Sequence, residues 1–218
     1  MSAALVALAV HVAGGAYHTP FPASPGERAT EVAAFWLDRE PVTNSEFLEF
    51  VAQHPEWRRD RVKPVLADGR YLASWAAPDA LGPRTRPHAP VVDVSWFAAR
   101  SFCAARGGRL PTEAEWELAA AGTPDELAWY EAPAPDVVPD IGGAPNAAGL
   151  RDLHGLVWEW VEDFGASMVA GGGCGTASST AATAEYMTYM RFAFRSSLEG
   201  RFTIGSLGFR CAYDGGAP

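Results

Sequence analysis

A chain of 218 residues, 48% hydrophobic and 20% charged, is long enough to bury one sizeable core, so a single domain over residues 1–218 is expected. The formal net charge is −9 and the longest basic cluster is WRRDRVK, which argues against a surface for nucleic acid or anionic membranes. No stretch approaches the roughly eighteen apolar residues of a membrane span, and 22 Gly, 17 Pro and 8 Trp indicate a loop-rich fold held by tryptophan packing.

The N-terminal stretch AALVALAV, residues 3–10, allows two interpretations. It fits a first strand, and it also fits the remnant of a processed leader, although no basic region precedes it. A second strand is predicted for VAAFWL, residues 32–37.

Three helices follow from capping signals. Two begin with a capping box, in which Thr43 is followed by Glu46 and Thr112 by Glu115. The helix between them is capped by Ser95, and its apolar residues recur at helical spacing.

The connecting segments are rich in turn-forming residues. Glycines are expected to end the later two helices, at Gly107 and Gly122. A long packed loop is predicted for residues 55–90 and an irregular segment for 123–148. Short strands are predicted at residues 156–161, 189–196 and 207–213.

The stretch GLRDLHGLVWEWVEDF, residues 149–164, places Glu159 between Trp158 and Trp160 and is too apolar for an ordinary loop. One hypothesis is a half-buried strand with salt bridges. The other is a bound cation whose ligands the tryptophans shield from water. If both tryptophans face the core, Glu159 points to the opposite side of the strand.

Several stretches, in this order, resemble the formylglycine-generating enzyme (sulfatase-modifying factor) family. They are FWLDREPVTNSEFLEFV, RLPTEAEWELAAAG, GLRDLHGLVWEWVEDF and MRFAFRSSLEGRFTIGSLGFRCA, and they span about residues 32–213. The resemblance implies a single α+β domain with the fold of that family, a C-type-lectin-like variant with little regular secondary structure.

The resemblance also implies a structural calcium ion. The matching ligands are the side chains of Asp152 and Glu159 and the backbone carbonyls of Gly155 and Val157, and calcium accepts such an all-oxygen set. Gly155 is the residue best able to bend the segment so that these ligands meet. The alternative is that the two carboxylates pair with arginines such as Arg151, Arg195 or Arg210. A second calcium site that some members carry has no counterpart here.

Catalysis is where the sequence departs from the family. The oxidases bind Cu(I) through two cysteines, but Met187 stands at the second of these positions and Ala182 at the first. A copper site would therefore need Cys174 together with the Met187 thioether. Of the three cysteines, the other two, Cys103 and Cys211, match a pair that is disulfide-bonded in some members; two buried free thiols are the alternative.

The histidines do not suggest a metal centre, because no two of them stand at ligand spacing. They are His11, His18, His54, His88 and His154.

Two functional hypotheses remain open. The first is an accessory, maturation or binding protein that has kept the scaffold and lost the oxidase centre. The stretches HGLVWEWV, a late CG, MRFAFRSSL and LGFRCA resemble bacterial accessory proteins of copper nitrite reductase in denitrification. Residues 165–190 would then be the surface for a protein or peptide partner. The second is a copper- or iron-dependent oxidoreductase that acts on a peptide or small thiol through Cys174. Export to the periplasm is favoured over a cytoplasmic location.

Overall fold

A computed structural model describes residues 9–18, 29–121, 136–165 and 198–215. It contains seven short strands and three helices within those ranges, connected by turns and two short 3-10 segments, Pro55–Trp57 and Glu162–Gly165. The strands are β1 Ala9–Val12, β2 Gly15–Tyr17, β3 Thr30–Val32, β4 Phe35–Asp38, β5 Trp158–Glu159, β6 Leu207–Gly208 and β7 Ala212–Tyr213. The helices are α1 Asn44–Gln53, α2 Trp96–Ala105 and α3 Glu113–Ala120. This is the mixed α and β content with little regular structure that the sequence predicts.

The first four strands form one long antiparallel ribbon that is interrupted halfway. β1 pairs with β4 and β2 with β3, in the same register throughout. At the interruption Gly14 lies so close to residues 32–34 that a Cβ there would be 2.7 Å from the Ala34 nitrogen. The single strand predicted for residues 32–37 is therefore two, because this contact breaks the ladder between them. The segment predicted as a first strand begins its pairing at Ala9, and the residues before it lie outside the described ranges.

The chain returns at its C-terminal end to complete the central sheet, which has the order β1-β4-β7. The strand predicted for residues 207–213 is also two strands. β6 pairs in parallel with β5, whereas β7 pairs with β4. Between β6 and β7, the Phe209 carbonyl accepts a hydrogen bond from the Val42 nitrogen, and the Cys211 carbonyl accepts one from the Asp38 nitrogen. These bonds hold the stretch in which the chain passes from one sheet to the other. The strand predicted at 156–161 is shorter than expected, and the one at 189–196 lies outside the described residues.

The helix predictions are confirmed at their capped ends. The Thr43 and Thr112 side chains accept from the Glu46 and Glu115 nitrogens, and both boxes are complete. Ser95 caps α2. After α2 ends, Gly107 has φ of +77°, the left-handed conformation expected of a glycine that ends a helix. Residue 122 lies outside the described ranges, and the predicted loop at 55–90 contains turns and one 3-10 segment.

The main core lies between α1, α2 and the C-terminal segment. Phe47 of α1 is fully buried, with its ring centroid 5.8 Å from that of Phe102 on α2, and Phe102 lies 5.3 Å from Phe209. Next to these rings the structure joins Cys103 and Cys211 by a disulfide, as predicted, across 108 residues of sequence. No helix of the described ranges is long and apolar enough to cross a membrane.

Candidate functional site

The segment 149–164 bends twice before it enters β5. Gly155 has φ of +95°, which confirms the predicted bend, and Asp152 has φ of +53°. A positive φ is uncommon outside glycine, although aspartate tolerates it better than most residues. The bent segment places the Asp152 carbonyl 3.3 Å from the Nη2 of Arg210 in the C-terminal segment.

Tryptophans attach this segment to the rest of the core. The Trp160 indole donates to the Val94 carbonyl at 2.9 Å, and the Trp96 indole donates to the Val161 carbonyl at 2.8 Å. Trp160 is 4% exposed. Trp160 belongs to the main core and the half-buried Trp158 packs against it, in agreement with the expectation that both tryptophans face the core. The Glu159 side chain between them is also buried, at 1% exposure.

Glu159 forms a buried ion pair with Arg210. The side chains are 1% and 0% exposed, and the Arg210 Nη2 lies 2.7 Å from the Glu159 Oε1. The Arg210 Nε donates to both carboxylate oxygens, at 3.1 and 2.8 Å. On the other side the Trp116 indole donates to Glu159 Oε2 at 2.7 Å. This arrangement shields the carboxylate from water and gives both oxygens charged or strong neutral donors.

The remaining Arg210 donors are directed at backbone carbonyls. Nη1 donates to the carbonyls of Asp38 and Arg39, and Nη2 to those of Arg151 and Asp152, at 3.0 to 3.3 Å. The guanidinium therefore lies where a carboxylate and four carbonyls converge. Carboxylate and carbonyl oxygens are the ligands that a bound metal cation would need. Here the same oxygens surround the positively charged guanidinium group instead.

Asp152 has different partners. Its carboxylate accepts from the backbone nitrogens of Gly142 and Gly143, at 3.2 and 3.0 Å. Arg151 is one of the three candidate partners of this carboxylate, but its Nε lies 3.6 Å from the Oε1 of Glu40 instead. Asp152 thus fastens the 142–143 loop to the bend.

The contacts of Glu159 determine how well this segment fits calcium. Both Glu159 oxygens are bound by Arg210 and Trp116, so the arrangement matches the salt-bridge hypothesis better than a calcium ligand set that includes Glu159. Within the described ranges, no group of three or more His, Cys, Asp or Glu side chains is arranged to hold a metal ion. The calcium site at Asp152, Gly155, Val157 and Glu159 stays a prediction.

A second buried carboxylate, Asp38, was missed by the sequence analysis. It accepts from Arg106, from the Cys211 nitrogen and from the Tyr213 hydroxyl, at 3.1 to 3.2 Å. Burial raises its pKa to about 6, while Arg106 opposes the shift. The available signal was an aspartate that ends the apolar run FWL, where the strand enters the core.

The two catalytic candidates, Cys174 and Met187, lie outside the described residues, as does Arg195. Cys103 and Cys211 are bonded to each other and are not free thiols.

Comparison with known proteins places these features in a family. The model of the sulfatase-modifying factor enzyme 1-like domain matches residues 4–140 and 134–215. The inactive C-alpha-formylglycine-generating enzyme 2 of mouse is 30% identical over 268 aligned positions, which cover 96% of this chain and 86% of the mouse protein. The formylglycine-generating enzyme of Thermomonospora curvata is 30% identical over 191 positions, covering 63% of this chain and 62% of that protein.

Solved structures agree on the fold. The structure of PvdO from Pseudomonas aeruginosa superposes with a TM-score of 0.54 and 20% identity, over 94% of this chain and 93% of that one. At this identity the likeness concerns the fold alone. With the family model matched along almost the whole sequence, the chain belongs to the sulfatase-modifying factor enzyme 1-like domain family.

Proposed function

We propose that the protein is a binding or accessory member of this family that does not carry out the copper-dependent oxidation of cysteine. The observation that carries the proposal is the number of free thiols. The chain has three cysteines, and the disulfide uses two of them, so only Cys174 remains. A bis-thiolate Cu(I) centre needs two deprotonated cysteines and cannot be built from one chain in this state.

Two further observations support the proposal. Ala182 and Met187 stand at the sequence positions that match the paired cysteines of the oxidases, and a thioether does not deprotonate. The mouse relative, whose alignment spans most of both chains, is itself named an inactive formylglycine-generating enzyme.

We further propose a partner and a compartment for the protein. Motif resemblance supports an accessory or maturation role for copper nitrite reductase in a denitrifying bacterium, with the partner held by residues 165–190. A long-range disulfide supports export to an oxidising compartment such as the periplasm, because cytosolic thiols are usually kept reduced.

The loss of oxidase activity is tested with a peptide that contains Cys-x-Pro-x-Arg. Purified protein is incubated with this peptide, oxygen and Cu(I), with the Thermomonospora enzyme as the active control. Mass spectrometry is expected to show no aldehyde on the peptide cysteine. Aldehyde that accumulates with time, and disappears in Cys174→Ala, would establish the oxidoreductase hypothesis instead.

Metal analysis and a binding assay complete the test. Protein purified without chelator is expected to carry no stoichiometric copper or iron. Immobilised protein is expected to bind purified copper nitrite reductase, and replacement of residues 165–190 by a Gly/Ser linker of equal length should abolish that binding. Equal binding by the replaced chain would show that the proposed surface is wrong.

A further inference from the structure

A cavity of about 430 Å³ lies between the long loop that follows α1 and the segment at residues 136–138. Its volume falls within the range typical of small-molecule sites. Its charged wall residues are three arginines and two aspartates: Arg70, Arg84, Arg86, Asp93 and Asp136. It is separate from the Glu159–Arg210 pair, neither of which lines it.

Asp93 is the unusual member of this wall. It is 4% exposed, and its Oδ1 has no hydrogen-bond partner among the described residues. The nearest cation is the Arg70 Nη2 at 3.8 Å, beyond hydrogen-bond distance. Burial raises the pKa of Asp93, with Arg70 opposing and Asp68 adding to the shift. A buried carboxylate without a full partner is costly, and native proteins rarely keep one without a use.

The backbone at this point is also held in an uncommon conformation. Asp93 has φ of +56° and Leu72 has φ of +49°. The two residues are directly connected, since the Leu72 nitrogen donates to the Asp93 carbonyl at 2.8 Å, and the Asp93 nitrogen donates to the Ile204 carbonyl at 3.1 Å. Aspartate tolerates this conformation better than most residues, so the strain lies mainly at Leu72. Such strain persists only where the surroundings impose it, and it concentrates at ligand sites. Here it directs a carboxylate toward a cavity.

The arginines supply the opposite charge. The Arg84 Nη2 donates to the Asp136 carbonyl at 3.2 Å, and within the described part of the chain no carboxylate pairs with Arg84. The Arg86 Nη1 lies 3.7 Å from the Asp140 Oδ2, and both side chains are about half exposed. These guanidinium groups retain donors for an anionic oxygen.

We propose that this cavity binds a small zwitterion, whose ammonium group is held by Asp93 and whose carboxylate is held by Arg84 and Arg86. The Arg70 side chain is 69% exposed, so it can move into solvent and leave its loose contact with Asp93 to the ligand. This site goes beyond the proposed function and does not depend on whether the oxidase centre is lost.

The test is isothermal titration calorimetry on the full chain at low ionic strength near pH 7. The probes are ω-amino acids of increasing length: glycine, γ-aminobutyrate and ε-aminohexanoate. Putrescine carries only positive charges and succinate only negative charges, and the two serve as ligand controls. At least one zwitterion is expected to bind more tightly than both of them.

Two variants then test which residue binds the ammonium group of the ligand and which binds its carboxylate. Asp93→Asn keeps the side-chain shape and tolerates the positive φ, and Arg84→Gln removes a guanidinium group at the rim. Each is expected to weaken zwitterion binding at least about tenfold, as the loss of a charged hydrogen bond does. Arg61→Gln, at an exposed arginine away from the cavity, should bind like the unmodified protein.

Two results would overturn the proposal. The first is that no zwitterion binds at millimolar concentration. The second is that succinate binds as tightly as the best zwitterion and Asp93→Asn leaves the affinity unchanged, which would describe a simple anion-binding surface. If Asp93→Asn does not fold, the affinities of the unmodified protein for the best zwitterion, succinate and putrescine decide between the same outcomes.

Discussion

At the Arg210 guanidinium, one side chain compensates a buried carboxylate and four backbone carbonyls together. Removing one partner of such a pair leaves a buried charge without compensation, which costs about 3–5 kcal/mol. Glu159→Gln is therefore expected to lower the free energy of unfolding by that amount, as measured by urea denaturation. Arg210→Met should cost more, because it also leaves the carbonyls without donors.

An exposed pair provides the matched control. Glu199 and Arg201 have side chains 56% and 48% exposed, and Glu199→Gln should cost less than about 1 kcal/mol.

The same variants test whether calcium binds. If the ion pair alone stabilises the segment, the melting temperature of the unmodified protein does not change with chelator. A melting temperature that falls on chelation and recovers with calcium, but not in Glu159→Gln, would establish the calcium site.

Asp38 makes stability depend on pH in an unusual direction. Its pKa is raised from 3.8 to about 6 by burial, so the folded state holds a proton that the unfolded state has already released. The free energy of unfolding therefore falls as pH rises from about 4 to about 6, by at most about 3 kcal/mol from this group. Asp38→Asn removes this contribution.

The measurement is the difference in unfolding free energy between the unmodified protein and Asp38→Asn at several pH values. The variant has a constant offset from its altered contacts with Arg106 and Tyr213. Relative to it, the unmodified protein should lose stability between pH 4 and 6.5. A difference that does not change with pH would mean that Asp38 titrates normally in the folded state.

At the scale of elements, the interrupted ribbon depends on Gly14. An added Cβ would overlap the Val32 carbonyl oxygen and lie 2.7 Å from the Ala34 nitrogen, and neither backbone group can rotate away. Gly14→Ala should therefore lower the free energy of unfolding by about 1–3 kcal/mol. Gly69→Ala is the control, since a Cβ there has nothing within 4 Å, and its effect should stay within about 0.5 kcal/mol. Equal stability of the two variants would show that the ribbon accommodates a side chain at the interruption.

The elements also show which parts of the fold the sequence could predict. The helices were predicted correctly because their caps are local, as with Thr112 and Glu115 three residues apart. The strands were predicted less well because their partners are distant, as with Trp36 opposite Tyr213. The site follows the same rule. Alternation along 158–160 indicates which way Glu159 points. It does not decide which of the three candidate arginines meets the carboxylate, because Arg210 is 51 residues away along the chain.

At the scale of the whole molecule, the Cys103–Cys211 bridge connects α2 to the segment that carries Arg210. Both cysteines are fully buried. The bridge closes a loop of 108 residues, which on the chain-entropy model contributes about 4–5 kcal/mol, chiefly by restricting the unfolded chain. The double variant Cys103→Ala/Cys211→Ala should lose stability of this order, and Cys174→Ala should lose much less. Reductant should lower the melting temperature of the unmodified protein and of Cys174→Ala, but not that of the double variant.

Thiol titration connects this bridge to the function. Protein that is denatured without reductant should show one reactive thiol, and Cys174→Ala should show none. One thiol agrees with a chain that cannot assemble a bis-thiolate copper centre, because the remaining sulfurs are bonded to each other. Three thiols in protein recovered from an oxidising compartment would remove both the bridge and the main support for a non-oxidase role. The state of two buried cysteines therefore bears on stability and function together.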